Sequence, residues 1–221
     1  MAEFMLIHGA CHRAEVWRAV LPALASLGHA AQAVSLQGAT LGDHAAGIIA
    51  QSPKGAILVG HSAGGFVANA ATLAAQGHFA GIIYLCAFIP SAGKSVANLR
   101  RAAPHDALGP AIRRVGGGYG FDPNMARSLF FNGCPNPAAH AAGLRVDPLQ
   151  PVQTVLPDLP DTFPRAAIIC DDDRAISRAY QMHMAAGMPL RLLPCGHAPF
   201  FAAPDLLAQS LHDLADIIGR R

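Results

Sequence analysis

Ala56-Ile57-Leu58-Val59-Gly60-His61-Ser62-Ala63-Gly64-Gly65 is the stretch on which the reading of this chain turns. An apolar run of strand length delivers a serine into a glycine-flanked turn that opens a helix. A serine on so sharp a turn has a strained backbone, and Gly60 and Gly64 lack the side chains that would block close approach of strand and helix. Ser62 Oγ is thereby pushed out at the carboxyl end of a sheet, which is the geometry of a nucleophile elbow.

Short apolar runs recur on both sides of the elbow and alternate with helix-period segments. That is the pattern of β-α-β units around a parallel sheet buried on both faces. Residues 4–7, 31–36, 56–59, 81–88, 166–170 and 190–193 are the expected strands. Val16, Trp17, Val20, Leu21, Leu24 and Leu27 recur at three and four residue spacing, as do Leu206, Leu207, Leu211, Leu214, Ile217 and Ile218; each set predicts a helix with one face on the sheet. The stretch from about 91 to 164 breaks this rhythm. It is rich in Pro and Gly, holds Gly116-Gly117-Gly118, and has only short helical patterns at 124–131 and 137–144. A segment this long within a compact domain reads as a lid or binding element laid over the sheet. The expectation is one α/β domain over residues 1–221, about six mainly parallel strands flanked by helices, with a cap inserted at approximately 91–164.

Composition narrows the function. With 221 residues, 52% hydrophobic and 14% charged, the chain can bury a sizeable core. The net charge of +2 is spread out, with only the short basic pairs Arg100-Arg101, Arg113-Arg114 and Arg220-Arg221, so no footprint for nucleic acid is expected. Five cysteines, odd in number and without a C-x-x-C pair, argue against a disulfide framework or zinc ribbon and for reduced thiols in the cytoplasm. Met1 to Ile7 has no basic n-region and meets a glycine within two residues, so it reads as a strand and not a signal peptide. No apolar run approaches the ~20 residues that span a bilayer, so no membrane association is expected. His8 and His12 have the spacing of zinc ligands, yet Gly9 stands between them in a strand-exit loop and no Glu follows His8, so no metal site is expected.

A serine hydroxyl is a poor nucleophile at neutral pH; it needs a base within hydrogen-bond reach, itself oriented by a third group. Asp171-Asp172-Asp173 follows the strand at 166–170, and Pro194-Cys195-Gly196-His197 follows the strand at 190–193. In parallel-sheet proteins catalytic groups gather at the carboxyl ends of strands, which puts Ser62, one Asp of the cluster and His197 on one rim. One aspartate orients the imidazole while its neighbours can cap the helix beginning near Ser177; Asp173 is preferred. Acyl transfer also needs oxyanion donors, each worth about 10²–10³-fold in rate. Ala63 N–H supplies one, and Ala10 N–H, in the loop His8-Gly9-Ala10-Cys11-His12, the other. The remaining histidines, His12 included, read as ordinary polar residues of loops and helix surfaces.

These residues resemble the α/β-hydrolases related to plant methylesterases (salicylate-binding and methyl jasmonate esterases), hydroxynitrile lyases and their bacterial relatives, over nearly the whole chain. Leu6-Ile7-His8-Gly9-Ala10-Cys11-His12 followed by Trp17 is similar to the family's oxyanion loop, and Leu58 to Gly65 to its elbow. Tyr84-Leu85-Cys86-Ala87-Phe88-Ile89-Pro90 resembles the strand leading into the cap, and Ala126 to Cys134 a cap segment of bacterial members. Ile169-Cys170-Asp171-Asp172-Asp173-Arg174-Ala175-Ile176 resembles the acid motif, which carries the triad acid onto Asp173, and Gly196-His197-Ala198-Pro199-Phe200 the histidine motif. The resemblance implies an α/β-hydrolase fold with a Ser62, His197 and Asp173 triad, no cofactor, and a sheet without the two leading strands of larger members.

Departures from the pattern separate the branches. The lyases place a Thr where Gly9 stands and a Lys where Ala198 stands; their absence turns the resemblance away from cyanohydrin cleavage and toward esters. Ala63 replaces a larger apolar residue, leaving the backbone donor intact in a wider pocket. The function expected is serine hydrolysis of a small carboxylic ester, a methyl ester included, with Trp17, Phe130, Phe131 and Asn132 as candidate substrate contacts. Another triad chemistry (lactonase, amidase, thioesterase or carbon–carbon hydrolase) and a slow-turnover binding protein on the same scaffold stay open, as does a homodimer.

Overall fold

The computed structural model describes residues 1–219; the basic pair Arg220-Arg221 lies outside the described residues. In chain order the first half contains β1 (Glu3–Ile7), a 3-10 turn (Ala14–Ala19), α1 (Val20–Ser26), β2 (Ala30–Val34), α2 (Leu41–Gln51), β3 (Ile57–His61), α3 (Gly64–Ala74) and β4 (Gly81–Leu85). An excursion follows, with α4 (Val96–Ala102), β5 (Ile112–Val115), β6 (Gly118–Phe121), α5 (Pro123–Leu129), α6 (Pro137–Ala142), β7 (Asp147–Pro148) and α7 (Gln150–Gln153). The chain then returns through β8 (Arg165–Cys170), α8 (Arg178–Met184), β9 (Leu190–Leu193), α9 (Pro199–Ala202) and α10 (Pro204–Gly219).

Each of the six strands expected in the sheet is present, with shifted ends that have local causes. The strand expected to run to Phe88 stops at Leu85 because Cys86 turns into the left-handed region at φ 34°. The helix expected from Val16 starts as a 3-10 turn and becomes α-helical only at Val20. Pro22 has no N–H to give to a preceding turn, so regular α-helical bonding cannot run through it from the N-terminal side.

The six strands pair in parallel in the order β2-β1-β3-β4-β8-β9. Successive side chains of a strand face opposite sides, and the core divides accordingly. Phe4, Leu6, Ile57, Val59, Ile83, Leu85 and Ile168 face one side, where they pack with Val20 and Leu24 of α1 and Leu207, Leu211 and Leu214 of α10. Met5, Ile7, Leu58, Ile82, Tyr84 and Ile169 face the other, with Ile48 of α2 and Val67, Ala68 and Ala71 of α3. Two apolar faces explain why these strands read as unbroken hydrophobic runs.

The strand order places the site. From β1 the chain passes to one side to form β2, then crosses back to form β3 on the other side of β1. Connections leaving β1 and β3 in opposite directions open a crevice at the carboxyl ends of these neighbours, where open parallel sheets bind ligands. β1 ends there in His8-Gly9-Ala10 and β3 in Ser62. The excursion between β4 and β8 stands over the same end. Its β5, β6 and β7 form an antiparallel three-stranded sheet, and its base is closed by an antiparallel bridge between Lys94 and Leu156. All five cysteines are free, and among the described residues no helix is long and apolar enough to cross a membrane.

Candidate active site

Ser62 sits at φ 53°, in the left-handed region that a residue with a Cβ enters at a cost of about 1–3 kcal/mol. Backbone bonds hold it there: Ser62 N–H donates to Leu85 C=O at 3.1 Å, and its own C=O accepts from Gly65 N–H and Phe88 N–H, both at 3.2 Å. Close approach of β3 and α3 requires the flanking glycines. A Cβ on Gly60 would lie 2.8 Å from Gly64 O and Gly65 N, and one on Gly64 would lie 2.7 Å from His8 O.

Among the three aspartates the geometry selects one. Asp172 is exposed, and Asp171 pairs with Arg178 at 3.1 Å. Asp173 is buried; its Oδ1 accepts from the N–H groups of Ala175 and Ile176 at 2.7 and 2.9 Å, and its Oδ2 accepts from His197 Nδ1–H at 2.7 Å. A carbonyl or carboxylate only accepts, so the proton is on Nδ1 and the lone pair of His197 is on Nε2. His197 and Ser62 line one cavity of about 150 Å³.

That cavity is mostly apolar. Phe88, Val96, Leu108, Ile112, Tyr119, Phe121, Phe130, Leu149 and Val152 form its walls, and Ala10 and Ala63 lie at its base with Ser62. Ala63 is the N-cap of α3, where backbone N–H groups have no partner within the helix and the helix dipole favours negative charge. Among the described residues neither Ala63 N–H nor Ala10 N–H is engaged, whereas the neighbouring Cys11 and His12 N–H groups donate to Asp147 Oδ2 and Gly9 C=O.

Of the substrate contacts expected from sequence, the structure brings only Phe130 to the cavity, its ring 5.4 Å from that of His197. Trp17 is fully buried beneath the site against His61 and Phe200. Phe131, also buried, packs on His12, His140 and Phe201, facing away from the cavity. Asn132 lies behind the histidine loop: its Nδ2 donates to Asp172 C=O at 2.9 Å, and a Cβ on Gly196 would lie 2.6 Å from its Oδ1. It clamps the acid loop to the histidine loop. Aromatic and amide residues near a catalytic motif are as readily packing as contact, and here three of the four are packing.

Comparison with known proteins places this architecture. The model of the "Alpha/beta hydrolase family" matches residues 4–210. The chain belongs to the alpha/beta hydrolase family. A pyrethroid hydrolase of Sphingobium wenxiniae is 30% identical, over 98% of this chain and 88% of that protein. Methylesterase 2 of Arabidopsis thaliana is 25% identical over 97% of this chain and 96% of its own length. Among solved structures, a pyrethroid hydrolase from Sphingobium faniae JZ-2 superposes with a TM-score of 0.86 at 24% identity, covering 100% of this chain and 99% of that one.

Several groups at this hydrolase's site had no signal in the sequence. Gln181, four residues into α8, donates from Nε2 to Asp173 Oδ2 at 2.9 Å and to Ile176 C=O, while its Oε1 accepts from Cys170 N–H. It fixes Asp173 through the same oxygen, Oδ2, that accepts from the imidazole. His61 is fully buried between Ser62 and His197 and donates from Nε2 to His197 C=O at 2.9 Å. His12, read from sequence as an ordinary loop residue, is buried at the cavity wall and donates from Nδ1 to Ala10 C=O at 2.8 Å. Burial holds the pKa of His61 well below the ordinary histidine range, and lowers that of His12 to about 3 and of His8 to about 4. All three are therefore neutral near pH 7.

His8 Nδ1 and His12 Nδ1 are each bonded to a backbone carbonyl of their own loop. His61, Cys86 and His197 offer potential metal-ligand atoms within 4.8 Å of one another; His61 Nε2 and His197 Nδ1 are committed to the bonds described above, which leaves His61 Nδ1 and His197 Nε2 as the free ring nitrogens. Gly9 bears on the choice between branches. A Cβ there would lie 2.8 Å from His61 Nδ1 and 2.9 Å from Ser62 Cβ, so the threonine of the lyase pattern has no space.

Proposed function

We propose that the chain is a serine carboxylesterase acting on a small ester, with methyl esters the first class to test. The observation that carries this reading is the buried Asp173–His197 pair, whose tautomer leaves an imidazole lone pair at the cavity that holds Ser62. In this mechanism His197 Nε2 takes the proton of Ser62 as Oγ attacks the ester carbonyl. The Ala10 and Ala63 N–H groups receive the developing oxyanion. His197 then returns the proton to the leaving alcohol, and water enters by the same base to release the acid. Asp173 holds the imidazole in the required tautomer and stabilises its charged form. No step calls for a cofactor.

The relatives named pyrethroid hydrolase and methylesterase support ester cleavage as the reaction class. Cavity volume supports a small substrate: about 150 Å³ of apolar space takes a molecule of roughly benzene size. The excursion over 91–164 acts in this reading as a cap on a single hydrolase domain, its residues supplying most of the cavity wall. Five free thiols fit a reducing compartment such as the cytoplasm.

The test is hydrolysis of p-nitrophenyl acetate and a short series of methyl esters by the wild type and by Ser62→Ala. Turnover abolished in the variant, with the folded state retained by circular dichroism, is the expected result. Equal rates in the two proteins would overturn the assignment.

A further inference from the structure

The lining of the cavity is not apolar throughout. Arg100, Arg101 and Arg114 line it, and no lining residue is acidic. The two elements that supply these arginines share one order. On α4, Val96 and Ala97 line the apolar part and Arg100 and Arg101 follow one turn later, on the same helix face. On β5, Ile112 lines the apolar part and Arg114, two residues on and therefore on the same strand face, lies beyond it. Arg113, on the opposite face, pairs with Asp122. Burial follows the same gradient, since Val96 is buried while Arg101 and Arg114 are exposed.

These arginines are not equally available. Arg100 is paired with Asp106. Among the described residues Arg101 and Arg114 have no ion pair and no side-chain hydrogen bond. Two unpaired, exposed guanidinium groups therefore line the otherwise mostly apolar cavity that also holds Ser62. A guanidinium presents a planar fork of donors matched to carboxylate or phosphate oxygens.

We propose that Arg101 and Arg114 select esters bearing a second, ionised acid group at the end remote from the scissile bond, separated from it by a short apolar spacer. Monoesters of short dicarboxylic acids are the simplest such class. One turn of helix or two residues of strand places the charge about 5–7 Å beyond the apolar lining on each element, so the spacer is a few methylene groups. This selectivity rests on the esterase reading of Ser62.

The experiment compares kcat/KM for monomethyl hexanedioate with that for methyl hexanoate, and for 6-acetoxyhexanoate with that for hexyl acetate, in the wild type and in Arg101→Gln/Arg114→Gln. The first pair carries the charge on the acyl side and the second on the alcohol side. A wild-type preference of about tenfold for the charged member of either pair, falling to near unity in the double variant and shrinking with added salt, is expected. Hydrolysis with no preference in either pair, or a preference that survives the double substitution, overturns the selectivity while leaving the esterase intact. If no ester is cleaved, the esterase reading fails and binding decides the rim: calorimetry with hexanedioate against hexanoate should still show the tenfold difference and its loss in the double variant. Equal binding of the two acids refutes the rim.

Discussion

At the residue scale the site is a set of buried polar groups whose bonds fix one another's protonation. Asp173 has four donors on two oxygens, from Ala175, Ile176, Gln181 and His197. This leaves little freedom for the imidazole it holds. Asp173→Asn replaces the acceptor with an amide that favours the wrong imidazole tautomer, and turnover should fall by about 10⁴-fold; because the amide NH2 meets two donors at whichever oxygen it replaces, stability should fall by about 1–3 kcal/mol as well. Asp172→Asn, at an exposed position, should be silent. Steady-state kinetics of both variants check this, and the reverse pattern would move the acid to Asp172. The meeting of Ser62, His197 and Asp173 on one rim was legible because each follows an apolar strand and belongs to a local motif. Gln181 was not, since nothing in a helix pattern marks which polar residue turns inward. Trp17, Phe131 and Asn132 were misplaced for the complementary reason: chain proximity to the site does not reveal which side of a loop a side chain takes.

At the element scale, the excursion grips the loop that carries Ala10. Asp147, beside β6, accepts from Cys11 N–H at 2.6 Å, and Arg145 N–H donates to Cys11 C=O at 2.9 Å. Cys11 itself is left-handed at φ 60°, a conformation that needs such support. Asp147→Ala removes the acceptor and loosens the aim of Ala10 N–H, the proposed oxyanion donor. With a complete donor worth about 10²–10³-fold, kcat should drop about tenfold while KM changes less than twofold. A change confined to KM would show that the excursion touches only the substrate. The small sheet of this excursion escaped the sequence reading. Its hairpin turn, Gly116-Gly117, is a recognisable signal, but β6 reads Gly-Tyr-Gly-Phe, and glycine is poor strand material. Glycine is required there because a Cβ on Gly118 would lie 2.4 Å from Asp147 O. The parallel sheet was legible because its strands are buried on both faces.

At the scale of the whole molecule, the buried histidines tie stability to pH. His8, His12 and His61 have folded-state pKa values lowered by burial, whereas in the unfolded chain they titrate near 6.5. Below that value the unfolded state binds more protons. Their contribution is therefore fully present above about pH 6.5 and is lost as pH falls toward the folded values. Each contributes up to about 1.4 kcal/mol per pH unit, so the three together approach roughly 4 kcal/mol per unit. Asp147, raised by burial, works in the opposite sense, but it is one group against three and acts closer to the carboxylate range. Total stability of a domain is about 5–15 kcal/mol, so the guanidinium midpoint should fall sharply between pH 7 and pH 5. A midpoint unchanged over that interval would contradict the burial of these neutral rings.

Every step of the proposed mechanism depends on Ser62 being the nucleophile. Intact mass and peptide mapping after treatment with a fluorophosphonate, beside the loss of esterase activity, decide whether it is. A single adduct on Ser62, inactivation in step with labelling, and neither adduct nor activity in Ser62→Ala are the expected results. A folded wild type that hydrolyses esters without labelling at Ser62, or a Ser62→Ala protein that still labels and turns over, would contradict it.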